Sequence, residues 1–431
     1  MKQRRTVVFI LALLALLAAL ITGRALLYNL AYLLALLIII SFLWAWLNIN
    51  SVRFSRTTRT FRTQVGRPLE ERFVIRNNSF IPTLWVEMRD HSELPKHYAS
   101  RVVNTLGPKG QYNWRVTTIC QERGRYQLGP VRLSTSDPFG LFPMQRQDTQ
   151  TRNVVVYPMT VDIHRFALPI GILPGGDALR RRTHHVTTNA SGVRDYAPGD
   201  SFSRIHWRST ARRGRLIVKE FELDPLADIW IVPDMSIFGH VSQRPSTAVP
   251  ETTREEMPVW MRLEEFKLAA NTEEYTVTIA ASLAQYFLRN NRAVGMLAYG
   301  QSNEVLQPDR SERQLNRILE TLAVLRAQGQ TPLQNMINAE VHLFPRGTTL
   351  IVVTPTTREE WATAARQLVR RGLRIVTVLV NPQSFGGSQS ALTLASLLQA
   401  NNMVSYEINN GDDLPAALSR GRTQAGYFTL G

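Results

Sequence analysis

Two uncharged apolar runs at the start of the chain limit its folding more than any other feature. They cover Val7 to Thr22 and Ala25 to Leu47, and only Gly23-Arg24 lies between them. Crossing bilayer hydrocarbon takes about 20 apolar residues, with ~17 at the short end. The second run is long enough alone, and the first reaches that length by borrowing flanking residues. A cleaved signal peptide is the rival reading of the first run, because Lys2, Arg4 and Arg5 precede it. No small-x-small cleavage pattern separates the two runs, so the reading preferred is a transmembrane helical hairpin within residues 1–50. A hairpin returns the chain to the side on which it began. Lys2, Arg4 and Arg5 lie before it, Arg53, Arg56, Arg59 and Arg62 after it, and Arg24 alone in the turn. The positive-inside rule then predicts a cell-membrane protein with its remaining mass in the cytoplasm. Trp44 and Trp46 fall where an interfacial aromatic belt is expected.

The charge follows the same axis. Of the net +16, +4 lies in residues 1–47, +9 in 48–160, +5 in 161–223 and −2 in 224–431. An excess nearest the bilayer suits anionic lipid, worth about 1 kcal/mol per basic residue near the surface. No zinc-ligand spacing, aromatic RNA-binding motif or tandem basic helix accompanies it, so nucleic acid is not the expected partner. The single cysteine, Cys120, excludes an internal disulfide and reads as a small buried hydrophobe in a strand.

Residues 51–160 predict an all-β domain. Glu71–Arg76, Leu84–Arg89 and Tyr112–Ile119 mix apolar and polar residues partly in alternation, with Asn77-Asn78-Ser79, Gly107-Pro108 and Gly124 between them. Short strands at this spacing suggest a small immunoglobulin-type sandwich. Asp137-Pro138 and Gly140 read as a turn ending a strand, with Phe139 and Phe142 plugging the core.

Residues 224–431 change character. Apolar runs at Asp228–Val232, Ala293–Tyr299, Thr349–Val353 and Leu373–Leu379 alternate with helical patterns at Glu264–Arg289, Ser311–Ala327, Arg358–Arg371 and Ser390–Asn401. That alternation implies a parallel sheet covered on both faces. Val241 to Pro258 reads as an exposed insertion after the first strand.

Between these parts, residues 161–223 form a signature linker. Gly192 to Arg212 gathers Arg194, Asp195, Tyr196, Gly199, Asp200, Arg204, His206, Trp207, Arg208 and Arg212 around a Pro198-Gly199 turn. The pattern Gly-x-Arg-x-Tyr-x-x-Gly-Asp, then Arg-Ile-x-Trp and Ala-Arg, closes with Leu216, Val218, Lys219, Glu220, Phe221 and Glu222. It resembles the bacterial family known as "domain of unknown function" number fifty-eight, as does Arg123–Leu133 followed by Asp137–Phe142. The resemblance implies a von Willebrand factor A-like C-terminal fold and, as partner, an AAA+ ATPase of the MoxR type in protein-complex or cell-envelope maturation.

That fold is expected to bind ligands beyond the carboxyl ends of its strands. In the von Willebrand A fold the Mg²⁺ site there uses Asp-x-Ser-x-Ser, a Thr and a later Asp, a hard-oxygen set. This chain keeps Asp234 and Ser236, and Thr331 matches the Thr. Phe238 replaces the second Ser, and Pro355 stands where the Asp is usual. The site is therefore read as degenerate, and no cofactor is assigned. His184, His185 and His206 near Asp195 and Asp200 lack the spacing of a metal set.

No nucleophile elbow, phosphate loop or dinucleotide fingerprint is present, and no catalytic residue is assigned. Arg204 and Arg208, four apart, are placed to fork onto Asp195 or Asp200, and Tyr196 and Trp207 to pack or stack on cations. The cluster is read as a clasp between sandwich and α/β domain or as a docking surface. Arg180-Arg-Arg182 reads as surface charge, with anionic lipid or an acidic partner groove as its sharper use. The expected function is a membrane-anchored interaction adaptor. The alternatives are a divalent-dependent adhesion module using Asp234, Ser236 and Thr331, and a hydrolase using Asp195 and Asp200.

Overall fold

The computed structural model of the chain describes residues 2–168, 190–196, 205–221, 228–242, 268–420, 422–423 and 426–427. The chain divides into two compact units. The first contains Met1–Met159 and Leu319–Leu325; the second contains Thr160–Arg244, Ala270–Ile318 and Arg326–Gly431.

The first unit opens with α1 (Lys2–Thr22) and α2 (Ala25–Ser51), which pack on each other around the Gly23 turn. Both are long and apolar enough to cross a membrane, over Arg5–Thr22 and Ala25–Ser51. The first gains its length from Arg5 and Thr6. The second runs past Leu47 straight into β1 (Val52–Thr58), so no linker separates it from the sheet. Its last turns are gripped by the β domain. Asn48 and Ile49 are buried, the Thr83 hydroxyl donates to Asn48 Oδ1 at 3.0 Å, and the Asn78 amide donates to the Ser51 carbonyl.

The strands that follow are β2 (Arg62–Gln64), β3 (Pro68–Asn77), β4 (Thr83–Asp90), β5 (Arg101–Leu106) and β6 (Gln111–Ile119). They continue with β7 (Gly124–Leu128), β8 (Val131–Thr135), β9 (Met144–Asp148) and β10 (Arg152–Tyr157). They form sheets of order β1-β3-β6, β5-β4-β8-β9 and β2-β10-β7. The first two face each other across Val52, Phe73, Ile75, Val86, Met88, Trp114 and Leu133, the inward halves of alternating strands. This is the β-sandwich that the sequence predicts. Cys120 is buried just beyond β6, and burial pushes its thiol up to about 12. Arg123 is fully buried in this unit, donating from Nε to the Leu322 carbonyl at 3.0 Å and from Nη2 to the Leu325 carbonyl at 2.6 Å.

One expectation is overturned. Asp137 does build a turn after β8, accepting from the Phe139 and Phe142 amides at 3.0 and 2.7 Å. The two phenylalanines do not plug the sandwich core. Phe139 is 57% exposed, and Phe142 stacks edge-on against Phe9 of α1 and Phe42 of α2. The turn holds its side chains on the helical hairpin rather than between the sheets.

In the second unit, residues 161–168 lie on the α/β core and do not act as a linker. The Val161 amide donates to Ser282 Oγ, Asp162 pairs with Arg289, and Phe166 stacks on Tyr406 with ring centroids 4.6 Å apart. β11 (Ala190–Asp195) pairs antiparallel with β12 (Ile217–Phe221), and α3 (Trp207–Arg213) lies between them in sequence. The large sheet comprises β13 (Ile229–Pro233), β14 (Val294–Tyr299), β15 (Asn303–Asp309), β16 (Thr349–Thr354), β17 (Arg374–Val380), β18 (Val404–Ile408), β19 (Arg422–Thr423) and β20 (Gly426–Tyr427). Its order is β15-β14-β13-β16-β17-β18-β19-β20, parallel from β14 to β18 and antiparallel at both margins.

Trp230, Val232, Leu350, Val352, Ile375 and Leu379 face one helical layer, α6 (Leu333–Ala339), α7 (Glu360–Arg370) and α8 (Leu392–Ala400). The opposite face takes α4 (Thr272–Arg289), which packs on β13, β14, β16 and β17. Asn271 caps α4 by accepting from the Glu273 amide at 2.8 Å, so this helix starts at Thr272; residues 264–267 of the predicted helical pattern lie outside the described residues. α5 (Glu312–Val324) and α9 (Leu414–Leu418) complete the described α-helices. Most of the predicted insertion, residues 243–258, lies outside the described residues.

Candidate functional site

Three places concentrate chemistry. The first is a charged cluster inside the sandwich. On β1 the inward positions are Val52, Phe54, Arg56 and Thr58; on β3 they are Leu69, Glu71, Phe73 and Ile75. Arg56 therefore points into the protein and is not free for lipid, contrary to its place in the basic juxtamembrane run. Its guanidinium forks onto Glu71, Nε to Oε1 at 2.8 Å and Nη2 to Oε2 at 2.7 Å, and reaches Asp90 Oδ1 at 3.2 Å. His97 Nε2 lies 3.1 Å from both Glu71 Oε2 and Asp90 Oδ2. Thr58 and Ser92 hydroxyls fill the remaining acceptor positions.

Burial alone pushes the Glu71 carboxyl up. Hydrogen bonds from His97 and Arg56, with their charges, outweigh it and hold the group down at about 2. The same balance lowers Asp90. Burial works against the His97 imidazolium, but hydrogen bonds to Asp90 and Glu71 raise its pKa. With His97 protonated the four charges cancel. The arrangement is a closed ion network with satisfied partners, a structural device rather than an open reaction site.

The second place is the signature. His206 caps α3: its Nδ1 accepts from the Ser209 amide at 3.2 Å. This spends the histidine that invited a metal reading; His184, His185 and Asp200 lie outside the described residues. Gly214 closes α3 in the left-handed conformation, φ +66°. The Thr210 hydroxyl accepts from the Ile217 amide at 3.1 Å, and the Tyr196 amide donates to the Leu216 carbonyl. Ile205, Ile217 and Val218 are buried beneath. The described cation on Asp195 is Arg215, at 3.0 Å, rather than Arg208. Gly199 and Arg204 lie outside the described residues, and Arg194 belongs to β11. No residue of α3 is buried: Trp207 is 67% exposed, and Arg208, Arg212 and Arg213 are exposed beside it.

The third place is the carboxyl edge of the large sheet, where its order reverses at β13. Asp234 follows β13 and is buried. Its Oδ1 accepts from the Ser236 hydroxyl at 2.6 Å and amide at 3.0 Å, and its Oδ2 accepts from the Thr354 hydroxyl at 2.6 Å. Thr354, at the end of β16, is a partner of Asp234 that the sequence reading does not name. Gly329 holds this loop from below, exchanging backbone bonds with Met235 and Ile237; a Cβ there overlaps the Tyr299 carbonyl oxygen. The loop displays Ile237 and Phe238, 59% and 54% exposed, with the Arg358 guanidinium over the Phe238 ring at 5.5 Å. The donors do not fit Mg²⁺. Among the described residues the edge offers one carboxylate, both of its oxygens are taken by hydroxyl and amide donors, and apolar Phe238 and Pro355 stand where the pattern has its other ligands.

Residues 192–247 match the family described as "Protein of unknown function DUF58". The likeness to DUF58 lies in that segment. The DUF58 match begins in β11, takes in α3 and β12, and runs through β13 to the Asp234 loop, so it joins the second and third places. A curated relative, the uncharacterized protein YeaD of Bacillus subtilis strain 168, is 21% identical over 222 residues, 51% of this chain. The chain spans about half the length of that relative, 47%. Solved structures similar to parts of it include the conserved hypothetical protein BatB from Bacteroides thetaiotaomicron, 14% identical with a TM-score of 0.29, covering 45% of this chain and 95% of that one. The CARDB domain of the PF1109 protein from Pyrococcus furiosus is 15% identical with a TM-score of 0.19, covering 24% of this chain and 86% of that domain. The DUF58 name carries no activity, and no catalytic family is indicated.

Proposed function

We propose that this protein is a membrane-anchored adaptor that docks another protein through its signature. The hairpin α1–α2 crosses the cell membrane and leaves the rest of the chain in the cytoplasm, in keeping with the excess of Lys and Arg on that side. The observation that carries the docking role is the outer face of α3. No residue of this helix is buried; Ile205 and the capping His206 just before it hold it in place, and it offers Trp207, Arg208 and Arg212 to solvent. Arginine and tryptophan are the residue types that anchor interfaces, and this face suits an acidic partner surface. The family resemblance suggests the partner's class, a MoxR-type AAA+ ATPase, and the α/β unit as von Willebrand A-like. In this reading the Asp234 edge is a second contact made with Ile237 and Phe238 rather than with a cation.

The test is affinity capture of the tagged full chain from its native host in detergent, with and without ATP, against the double variant Trp207→Ala/Arg208→Ala. Recovery of an AAA+ ATPase by the wild type and its loss in a folded variant supports the reading. Equal recovery by both moves docking away from α3, and no ATPase in either overturns the adaptor.

A further inference from the structure

We propose that the end of the β-sandwich nearest the helices is a lipid-seated face, inserting Phe139 and Phe80 at the bilayer surface and meeting anionic headgroups with Arg53, Arg76 and Lys109. The inference rests on the hairpin reading of α1 and α2.

Depth is the first argument. Phe9 lies 14 residues before Gly23 and Phe42 lies 18 after Arg24. At 1.5 Å per residue these are about 21 and 27 Å of helix from the turn. Hydrocarbon is about 30 Å thick. With Arg24 at the far interface, the Phe142 ring that touches both side chains lies within or at the near edge of the acyl region. Asp137 ties that turn by two amide hydrogen bonds, which hold Phe139, 57% exposed, in the same turn as Phe142.

A second aromatic tip is held at the end of α2. The loop after β3 is tied to the last turn of that helix through Asn78 to Ser51, Ser51 to Asn77 and Thr83 to Asn48. Its tip, Phe80, is 77% exposed and carries the Lys109 ammonium 4.3 Å from its ring. An aromatic ring paired with a lysine, one helical turn from an apolar span, is the composition of an interfacial anchor.

The third argument is charge. Arg53 and Arg76 are directly opposed in the β1–β3 register and both are exposed. Like charges directly opposed are destabilising. Among the described residues no carboxylate pairs with Arg53, Arg76 or Lys109. Lipid phosphate is the counter-charge that this end of the sheet faces.

The full chain is reconstituted into vesicles of phosphatidylcholine and phosphatidylglycerol as four variants, Phe139→Cys, Phe80→Cys, Leu33→Cys and Tyr98→Cys. Each is labelled with an environment-sensitive fluorophore and quenched by spin labels at the headgroup or deep in the acyl chain. Cys120 is buried with its thiol pushed up to about 12, so the unsubstituted chain is the blank. All four positions are exposed on the protein, which keeps the fold intact. The expected result is several-fold stronger shallow quenching at 139 and 80 than at 98, and deep quenching at 33. Deep quenching at 33 with positions 80 and 139 no different from 98 overturns the lipid-seated face. No quenching at 33 overturns the hairpin reading itself. Replacing phosphatidylglycerol with phosphatidylcholine is expected to weaken shallow quenching at 80; no change there overturns the headgroup part.

Discussion

The two units each bury acid, and they satisfy it by opposite means. In the sandwich, Glu71 and Asp90 meet full cations, Arg56 in a bidentate fork and His97 between them. In the α/β unit, Asp234 meets neutral donors among the described residues, the hydroxyls of Ser236 and Thr354 and an amide. The first arrangement ties three strands and the β4–β5 loop with charge and is sensitive to losing any member. The second shapes one loop and leaves its apolar tip outside. Where charge is compensated by charge, removing a partner strands an ion in low dielectric; where it is compensated by hydrogen bonds, the loss is that of dipoles.

The largest expected effect is therefore Arg56→Met. It leaves two carboxylates sharing one imidazole, and breaking such a buried pair costs about 3–5 kcal/mol. Hydrogen exchange of the β3 and β4 amides in the full chain measures it, with the large sheet as internal reference. Protection lost evenly in both units breaks the contrast.

Acid and base act on the same network with defined sign. Glu71 and Asp90 are lowered, so their stabilisation is complete above their unfolded values near 4 and is lost as pH falls towards about 2 for Glu71. His97 is raised, so its stabilisation is complete below about 6.5 and is lost as pH climbs through its folded value. The sandwich is expected to be most stable between about pH 4.5 and 6.5. His97→Gln is expected to flatten the alkaline limb and keep the acid one; an unchanged alkaline limb removes His97 from the account.

Asp234→Ala comes next. It leaves two hydroxyls and an amide without their acceptor, at about 1–3 kcal/mol for an unsatisfied buried group. The loss is expected as faster exchange in the Asp234–His240 loop, with β13 itself protected. Collapse of β13 protection makes Asp234 part of the core rather than of the loop.

The contrast was only partly legible in the sequence. Period and length gave the apolar helices and the alternating α/β sheet, because burial on one or both faces writes itself directly into hydrophobic pattern. The ion network also left a trace. Arg56 is in phase with Val52 and Phe54, Glu71 with Leu69 and Phe73, and Asp90 with Val86 and Met88. Charges on the apolar phase of three strands mark an internal cluster, whereas counting Arg56 among juxtamembrane cations hides it. Phe139 and Phe142 carried no such signal: an apolar turn looks alike whether it faces a core or a helix pair. Arg123 was equally silent, since its acceptors are carbonyls some two hundred residues away. At the sheet edge the spacing pointed to Asp234 and Ser236 but not to Thr354, because the register that brings Thr354 against Asp234 exists only once β16 pairs with β13.

The smallest expected effect is none. Calorimetric titration of Mg²⁺ or Mn²⁺ into the full chain is expected to release no heat attributable to the Asp234 edge. A divalent ion needs oxygen ligands enough to replace its water, and here one carboxylate faces two hydroxyls already donating to it. Heat from the wild type that Asp234→Ala abolishes contradicts this and returns the edge to adhesion chemistry. The double variant Phe238→Ser/Pro355→Asp sharpens the point by adding a hydroxyl and a second carboxylate at the two apolar positions. Binding gained by that variant, and absent in the wild type, shows an edge with the backbone of a cation site whose ligands have been exchanged for an exposed apolar tip. If the variant stays silent while folded, the backbone differs too, and Ile237 and Phe238 are then a contact surface that owes nothing to a lost metal.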